Sequence, residues 1–313
     1  MSVLALAGGV GGAKLANGLA AILPPGDLTI AVNTGDDFTH LGLTICPDID
    51  SVTYALAGRN DVQRGWGVAD ESWSFMDALR TLGGEDWFNL GDRDLATHVL
   101  RTNLLRTAPL SAVTADLAAR RGIQQAIVPM SDDPVQSIIV TDRGDLAFQD
   151  YFVRYQCSPR FHAIRFEGAE QARPAAAILA AFDDPSLEAI ILCASNPILS
   201  IAPILSVPGI RERIVARSIP CIALSPFIAG QAIKGPAAKI MAELGLPTTP
   251  ATIAQQYDGL IDGLVIDSAD GDRLPDPGPA ILATDILMRD PADQQRLAQQ
   301  LLSFARRLRS TGS

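Results

Sequence analysis

Two pairs of aspartates stand close together near the start of the chain, Asp36 and Asp37 in "NTGDD" and Asp48 and Asp50 in "CPDID". Carboxylates at a strand end suit a magnesium ion bridging phosphates, which takes one or two protein oxygens. Without a cation or protons, four acids so close would repel a polyanion. The plainer reading is of solvated turn acids, with Asp48 as a helix cap. Ahead of them lies "GGVGGAK", carrying Gly8, Gly9, Gly11, Gly12 and Lys14. Glycines after a strand let backbone N–H groups approach an anion, and the helix that follows adds its positive end. The pairing reads as phosphate, although a tight ligand-free turn would also use glycine.

The loop fits neither familiar nucleotide template. A dinucleotide fingerprint wants glycine where Lys14 stands, and a P-loop wants Gly-Lys-Ser/Thr where the chain has Ala13-Lys14-Leu15. Further on, "GDRDLATH" offers Asp92, Arg93, Asp94 and His98, followed by Arg101. On a helix, Asp94, His98 and Arg101 share one face, where His98 is a structural hydrogen-bonding group or a base. "MSDDPV" adds Asp132 and Asp133 in a loop. "ASNPILSIAPIL" and "SPFIAGQAIKGPAAK" place Ser195, Asn196 and Ser225 after strands, with Lys234 and Lys239 available for phosphate. Ser225 lacks a nucleophile-elbow pattern, which argues against a serine hydrolase.

These residues need strands to present them. Val3 to Ala7 reads as a buried strand, Lys14 to Ile22 as a helix and Leu28 to Val32 as a second strand, with Asn33 just past its end. Similar apolar runs recur at Ala189 to Cys193, Cys221 to Leu224 and Leu264 to Ile266. The pattern predicts an α/β fold, a Rossmann-like and mostly parallel sheet flanked by helices, with ligands at the carboxyl ends of strands. Residues 122 to 166 alternate instead, with a hairpin turn at Asp142-Arg143-Gly144, and read as a smaller β-containing inserted subdomain of a single domain, 1–313. The stretches around "GDRDLATH" and "PLSAVTADLAARRG" read as helices, the second capped by Ser111. The tail from Arg309 is expected to be disordered.

Composition narrows the partners. The net charge of −10 excludes the basic field of a duplex nucleic-acid surface. No apolar run approaches a membrane span, and no basic flank or cleavage site marks a signal peptide. Four scattered cysteines (Cys46, Cys157, Cys193, Cys221) suggest reduced thiols rather than a zinc ribbon or a disulfide framework. A cytoplasmic protein acting on small molecules is expected.

Taken in order, "GGVGGAK", "NTGDD", "ICPDID", "RGWG", "GDRDLATHVLRT", "MSDDPV", "FQDYFVR", "ASNPILSIAPIL", "SPFIAGQAIKGPAAKIMAELG" and "TDILM" closely resemble the 2-phospho-L-lactate transferase family of coenzyme F420 biosynthesis. The resemblance implies transfer of a phosphoacid from a guanosine-diphosphate-linked donor to the ribityl hydroxyl of 7,8-didemethyl-8-hydroxy-5-deazariboflavin (Fo), with release of GMP. It implies Mg2+ and a homodimer. Carried over motif by motif, Gly8 to Lys14 would meet the donor phosphates, Ser195 to Pro197 and Ser225 to Gly235 would build the guanosine side, and Asp50 would meet Fo. Asn89 stands where some members carry a basic residue near Fo; Asp92 and His98 complete that side. Asp36 and Asp50 are the first choices for the metal, Asp37 and Asp48 the next, and any of these acids could deprotonate the hydroxyl. The donor is a lactyl, enolpyruvyl or glyceryl phosphoacid.

Three rival readings predict different chemistry. A sugar-nucleotide-binding regulatory protein of the same superfamily would share the glycine loop but lack "GDRDLATH" and "FQDYFVR" as a set. A nicotinamide oxidoreductase would want glycine at position 14 and an acid at the end of the second strand. A non-enzymatic module would bind Fo without turnover.

Overall fold

The computed structural model describes residues 2–232, 235–271 and 278–311. Strand β1 (Ser2–Ala7) is buried along its whole length and runs straight into helix α1 (Gly9–Ile22), followed by β2 (Leu28–Val32). A small antiparallel pair, β3 (Phe38–His40) and β4 (Leu43–Ile45), leads into α2 (Pro47–Leu56), α3 (Ser74–Thr81), α4 (Asp92–Leu104) and α5 (Leu110–Arg120). Then come β5 (Ala126–Pro129), β6 (Gln136–Thr141), β7 (Gly144–Ala147) and β8 (Phe161–Glu167). The remainder comprises α6 (Ala176–Asp183), β9 (Leu187–Leu192), α7 (Ala202–Ser206), α8 (Ile210–Val215), β10 (Cys221–Leu224), the short pair β11 (Phe227–Ile228) and β12 (Gln231–Ala232), α9 (Ala237–Glu243), α10 (Pro250–Gln256), β13 (Gly263–Asp267), β14 (Ala280–Thr284) and α11 (Pro291–Thr311).

Seven strands form one sheet in the order β14-β13-β10-β9-β1-β2-β5, every neighbouring pair parallel. Parallel strands are covered on both faces, so they read as continuous apolar runs. Alternate residues of β1 divide accordingly: Val3, Ala5 and Ala7 join the core beneath α1, α2 and α11, while Leu4 and Leu6 join the opposite core against α6, α7, α8 and α10. Fully buried Leu or Ile side chains at these positions are each worth about 2–5 kcal/mol against alanine.

Four expectations are adjusted. The helix begins at Gly9, not Lys14, so the glycine motif is its first turn and not a separate loop. The β-rich stretch divides: β5 is the outer strand of the main sheet, and the added antiparallel sheet, β7-β6-β8, occupies 136–167. Ser111 is not the cap of α5; its backbone N–H and hydroxyl both donate to Asp132, at 2.7 Å each, so the loop acid satisfies this helix end. Residues from Arg309 to Thr311 continue α11. Among the described residues no helix is long and apolar enough to cross a membrane. All four cysteines are buried and unpaired.

Candidate active site

Strand order reverses beside β1: the chain proceeds from β1 outward through β2 and β5, then restarts at β9 on the other side. At such a switch point the loops leaving two neighbouring strands diverge and open a crevice. A cavity of about 660 Å3 lies there, bounded by Gly8 to Gly11 after β1 and Ala194 to Asn196 after β9.

The glycines are demanded by this approach. A Cβ on Gly11 would lie 2.2 Å from the Ala194 carbonyl oxygen, and one on Gly12 would lie 2.6 Å from Ser195 Oγ. Gly9 has φ +63°, a conformation other residues resist. Gly8 N–H donates to Ser195 Oγ at 3.1 Å, and that hydroxyl donates back to the Gly8 carbonyl at 2.7 Å. The clasp leaves the N-terminal turn of α1 facing the cavity. Lys14, one turn on, also lines it and donates to the Met288 carbonyl at 2.8 Å.

Opposite that turn stand the acids. Asp36, after β2, and Asp48 and Asp50, in the first turns of α2, are all buried and line the cavity. Burial first, and then the neighbouring Asp48, push the Asp36 carboxyl well above its usual range. Burial raises Asp48 to about 6, although Asn33 and the Gly9 N–H pull the other way. Asn33 Nδ2 donates to Asp48 Oδ2 at 2.9 Å, and its Oδ1 accepts from Gly35 N–H at 2.8 Å, so Asn33 anchors the acid from behind the cavity. Asp36 Oδ1 is buried with no hydrogen-bond partner. A buried oxygen left unpaired beside raised carboxylates is the signature of a missing cation or proton, so this pair suits Mg2+. Asp37 lies behind the cavity lining, bonded to the Cys46 thiol, and burial raises it too.

Asp50 is held differently. Both its oxygens accept from the guanidinium of Arg101, which is 2 % exposed. His98 Nδ1 lies 3.8 Å from Asp50 Oδ2, and His98 Nε2 lies 3.2 Å from Asp94 Oδ1. Asp94 also accepts from the Tyr54 hydroxyl. Burial works against ionised Asp94, yet His98 and Tyr54 hold it below its ordinary value. Ligand atoms of Asp50, Asp94 and His98 come within 4.8 Å of one another, so a cation could also sit here, in competition with Arg101 for Asp50.

Aromatic side chains also line the cavity. Trp66 stands on one side; Phe148 and Phe152, stacked at 5.5 Å, line the cavity from the segment after β7. Arg64 lies 5.2 Å from the Trp66 ring and 4.9 Å from the Trp73 ring, fixing the "RGWG" turn. Arg154 lies over Trp87 at 4.5 Å and ties the antiparallel subdomain to the segment bearing Phe88 and Asn89. Asn89 lines the cavity while accepting from Arg80 at 2.9 Å.

The remaining expected residues scatter. Asp92 is not among the residues lining the cavity; it accepts from Ser72, Ser74 and Phe75 and so caps α3. Ser225 is buried against the Phe227 backbone, and its neighbour Pro226 faces the cavity instead. Asn196 lines the cavity, but its side-chain oxygen accepts from the N–H groups of Ile198 and Leu199. Lys234 lies outside the described residues. The sequence reading did not single out Tyr54, Phe148, Phe152 or Ser200. Tyr54 was the findable one, because it follows Asp50 by four residues on α2 and must share its face.

Known proteins resemble the chain over most of its length. The family model described as 2-phospho-L-lactate transferase CofD matches residues 3–275. A phosphoenolpyruvate transferase of Streptomyces coelicolor is 39% identical over 319 residues, covering 99% of both chains. The phosphoenolpyruvate transferase of Kitasatospora aureofaciens is 40% identical over 320 residues, covering 99% of each chain. A crystal structure of a UPF0052 family protein from Bacillus halodurans superposes with a TM-score of 0.61 at 12% identity, covering 96% of this chain and 98% of that one, which shows the shared fold. With a family match over most of its length and relatives aligned from end to end, the chain belongs to the 2-phospho-L-lactate transferase CofD family.

Proposed function

We propose that this protein transfers enolpyruvyl phosphate from a guanosine-diphosphate-linked donor to the ribityl hydroxyl of Fo. Family membership makes it a phosphoacid transferase of coenzyme F420 biosynthesis; the choice of enolpyruvyl among the three phosphoacids is supported by the activity its actinobacterial relatives are named for. The observation that carries the reading is the cavity itself, where a glycine-built helix N-terminus faces buried acids and aromatic side chains share the lining.

The atoms balance simply. The Fo hydroxyl oxygen bonds to the phosphorus carrying the enolpyruvyl group, the diphosphate bridge breaks, and GMP leaves with the bonding electrons. The hydroxyl proton must go to a base. Asp50, the cavity acid left outside the proposed cation pair, is placed to receive it. The N-terminal turn of α1 and Lys14 would receive the donor phosphates. Asp50 would orient the acceptor, fixed by Arg101. Trp66, Phe148 and Phe152 would flank the planar deazaflavin and exclude water. Asp36 and Asp48 would hold Mg2+, which when bound would supply charge neutralisation to the diphosphate. The reaction belongs in a reducing compartment, the cytoplasm, where four buried free thiols persist, and we take the active form to be a homodimer with no nucleic-acid partner.

The test is mass spectrometry after incubation with Fo, Mg2+ and the three guanylylated donors in competition. The expected product is the enolpyruvyl conjugate with one equivalent of GMP. A lactyl or glyceryl conjugate overturns the donor choice; Fo binding with no conjugate overturns the enzyme.

A further inference from the structure

The N-terminal turn of α1 is an anion site that already holds an anion. Asp48, on α2, lies against it: a Cβ on Gly8 would come 2.9 Å from Asp48 Oδ2, and one on Gly9 would come 3.5 Å from Asp48 Oδ1. The Gly9 N–H lies near enough to this carboxylate to favour its charged form. Asn33 Nδ2 grips it from behind at 2.9 Å, so the side chain is not free to swing away. Asp36, close enough for its charge to act on Asp48, is buried too, and its Oδ1 has no hydrogen-bond partner.

From this arrangement we infer that Asp48 makes nucleotide diphosphate binding conditional on a divalent cation, because its carboxylate occupies the helix N-terminus that a phosphate would use. In the absence of a cation, a diphosphate arriving at α1 meets a fixed carboxylate beside Gly8 and Gly9, and the two anions repel in a low-dielectric cleft. A cation beside Asp36 and Asp48 turns the same carboxylate from competitor into support. Cation and nucleotide are therefore thermodynamically linked, each tightening the other by the same factor. Asp48 is the residue through which the linkage passes, a role separate from any proton transfer. The inference rests on the proposed guanosine diphosphate donor.

The experiment is calorimetric binding of GDP, with Mg2+ and with EDTA, to the full-length protein and to Asp48→Asn. GDP is expected to bind the wild-type protein at least about tenfold more tightly with Mg2+ than with EDTA, a size ordinary for coupled sites. In Asp48→Asn the ratio should fall to about twofold, chiefly because affinity in EDTA rises. Asp48→Ser, which is also neutral, serves if the amide variant does not fold. A wild-type ratio near one, or a neutral variant that keeps the full ratio, overturns the inference and leaves the transferase reading standing. Absence of GDP binding under every condition overturns the guanosine donor, and the inference with it.

Discussion

The guanidinium of Arg101 and the carboxylate of Asp50 meet through two parallel hydrogen bonds inside the protein, with the arginine 2 % exposed. An arginine buried this deeply has exchanged its hydration for one partner, with Thr44 and His98 adding weaker contacts at 3.5 and 3.3 Å. Breaking such a pair from one side leaves an uncompensated charge, which costs about 3–5 kcal/mol. Asp50→Asn is therefore expected to lose turnover by orders of magnitude and also to be destabilised. Arg101→Met should be destabilised by a similar amount. The double variant should lose much less than the sum, as urea unfolding of all four proteins will measure.

The raised acids predict a pH dependence with an unusual sign. Folding lifts the pKa of Asp48 from 3.8 to about 6 and that of Asp36 well above 3.8. Below the unfolded value both states are protonated and burial of these groups is not penalised. As pH rises through about 6 the Asp48 penalty develops, with Asp36 adding to it in the same direction, so this share of stability is present at low pH and lost on the way up. Mg2+ should offset that loss. Melting temperatures are expected to rise more on adding Mg2+ at about pH 7.5 than at about pH 5, and the difference should shrink in Asp48→Asn.

Gly11→Ala tests the clasp between β1 and β9. Its methyl group would sit 2.2 Å from a backbone oxygen, which cannot rotate away as a side chain could. Either α1 or the Ala194 segment must shift, at a cost of about 1–3 kcal/mol or more. By contrast, Gly26, with φ +93° and open space around it, should lose only backbone conformational energy on substitution by alanine. Thermal denaturation of both variants should rank Gly11→Ala the worse.

The cysteines should be silent to thiol reagents in the folded protein. Burial pushes Cys157 up to about 11 and Cys193 and Cys221 to about 12, and raises Cys46 as well. Reaction with an aromatic disulfide is expected only after addition of denaturant, when all four cysteines of the chain titrate. Rapid native labelling at any of them would contradict the packing described.

In the cavity lining, Trp66 is 44% and Phe152 38% exposed, so neither supports the core. Removing either side chain should leave the melting temperature nearly unchanged while weakening Fo. Stacking of a planar ring on an aromatic side chain is worth about 1–3 kcal/mol, or about five- to a hundredfold in affinity, measurable by quenching of deazaflavin fluorescence.

The sheet was legible because parallel strands buried on both faces leave unbroken runs such as "LALA" and "AIILC". The glycine motif was legible as a site but not as a helix, since four glycines in seven residues weigh against helix by local propensity. What overrides propensity is the contact of Gly11 and Gly12 with Ala194 and Ser195, over 180 residues away and invisible to any local pattern. The acids could be found by type, yet their division could not. Asp48 and Asp50 are two residues apart on α2, so they point in different directions: one reaches α1 and the other Arg101 on α4. The structure gives Asp92 a capping role on α3, which the sequence could not show, because an acid beside a glycine at a helix start looks the same whether it binds a ligand or caps a neighbouring helix.

The packing of α1 against α11 has a consequence for how the chain matures. Gly18 lies so close to the Gln294 backbone that a Cβ would be 2.2 Å from its carbonyl, Asn17 bonds to Gln294, and Lys14 bonds to Met288. Helix α1 thus takes one of its partner surfaces from residues 274 and 277 positions further along the chain. Contacts so distant in sequence close late and slow the search for the native state. During synthesis one face of α1 therefore stays uncovered until residues 291–311 emerge, although α2 covers another face much earlier.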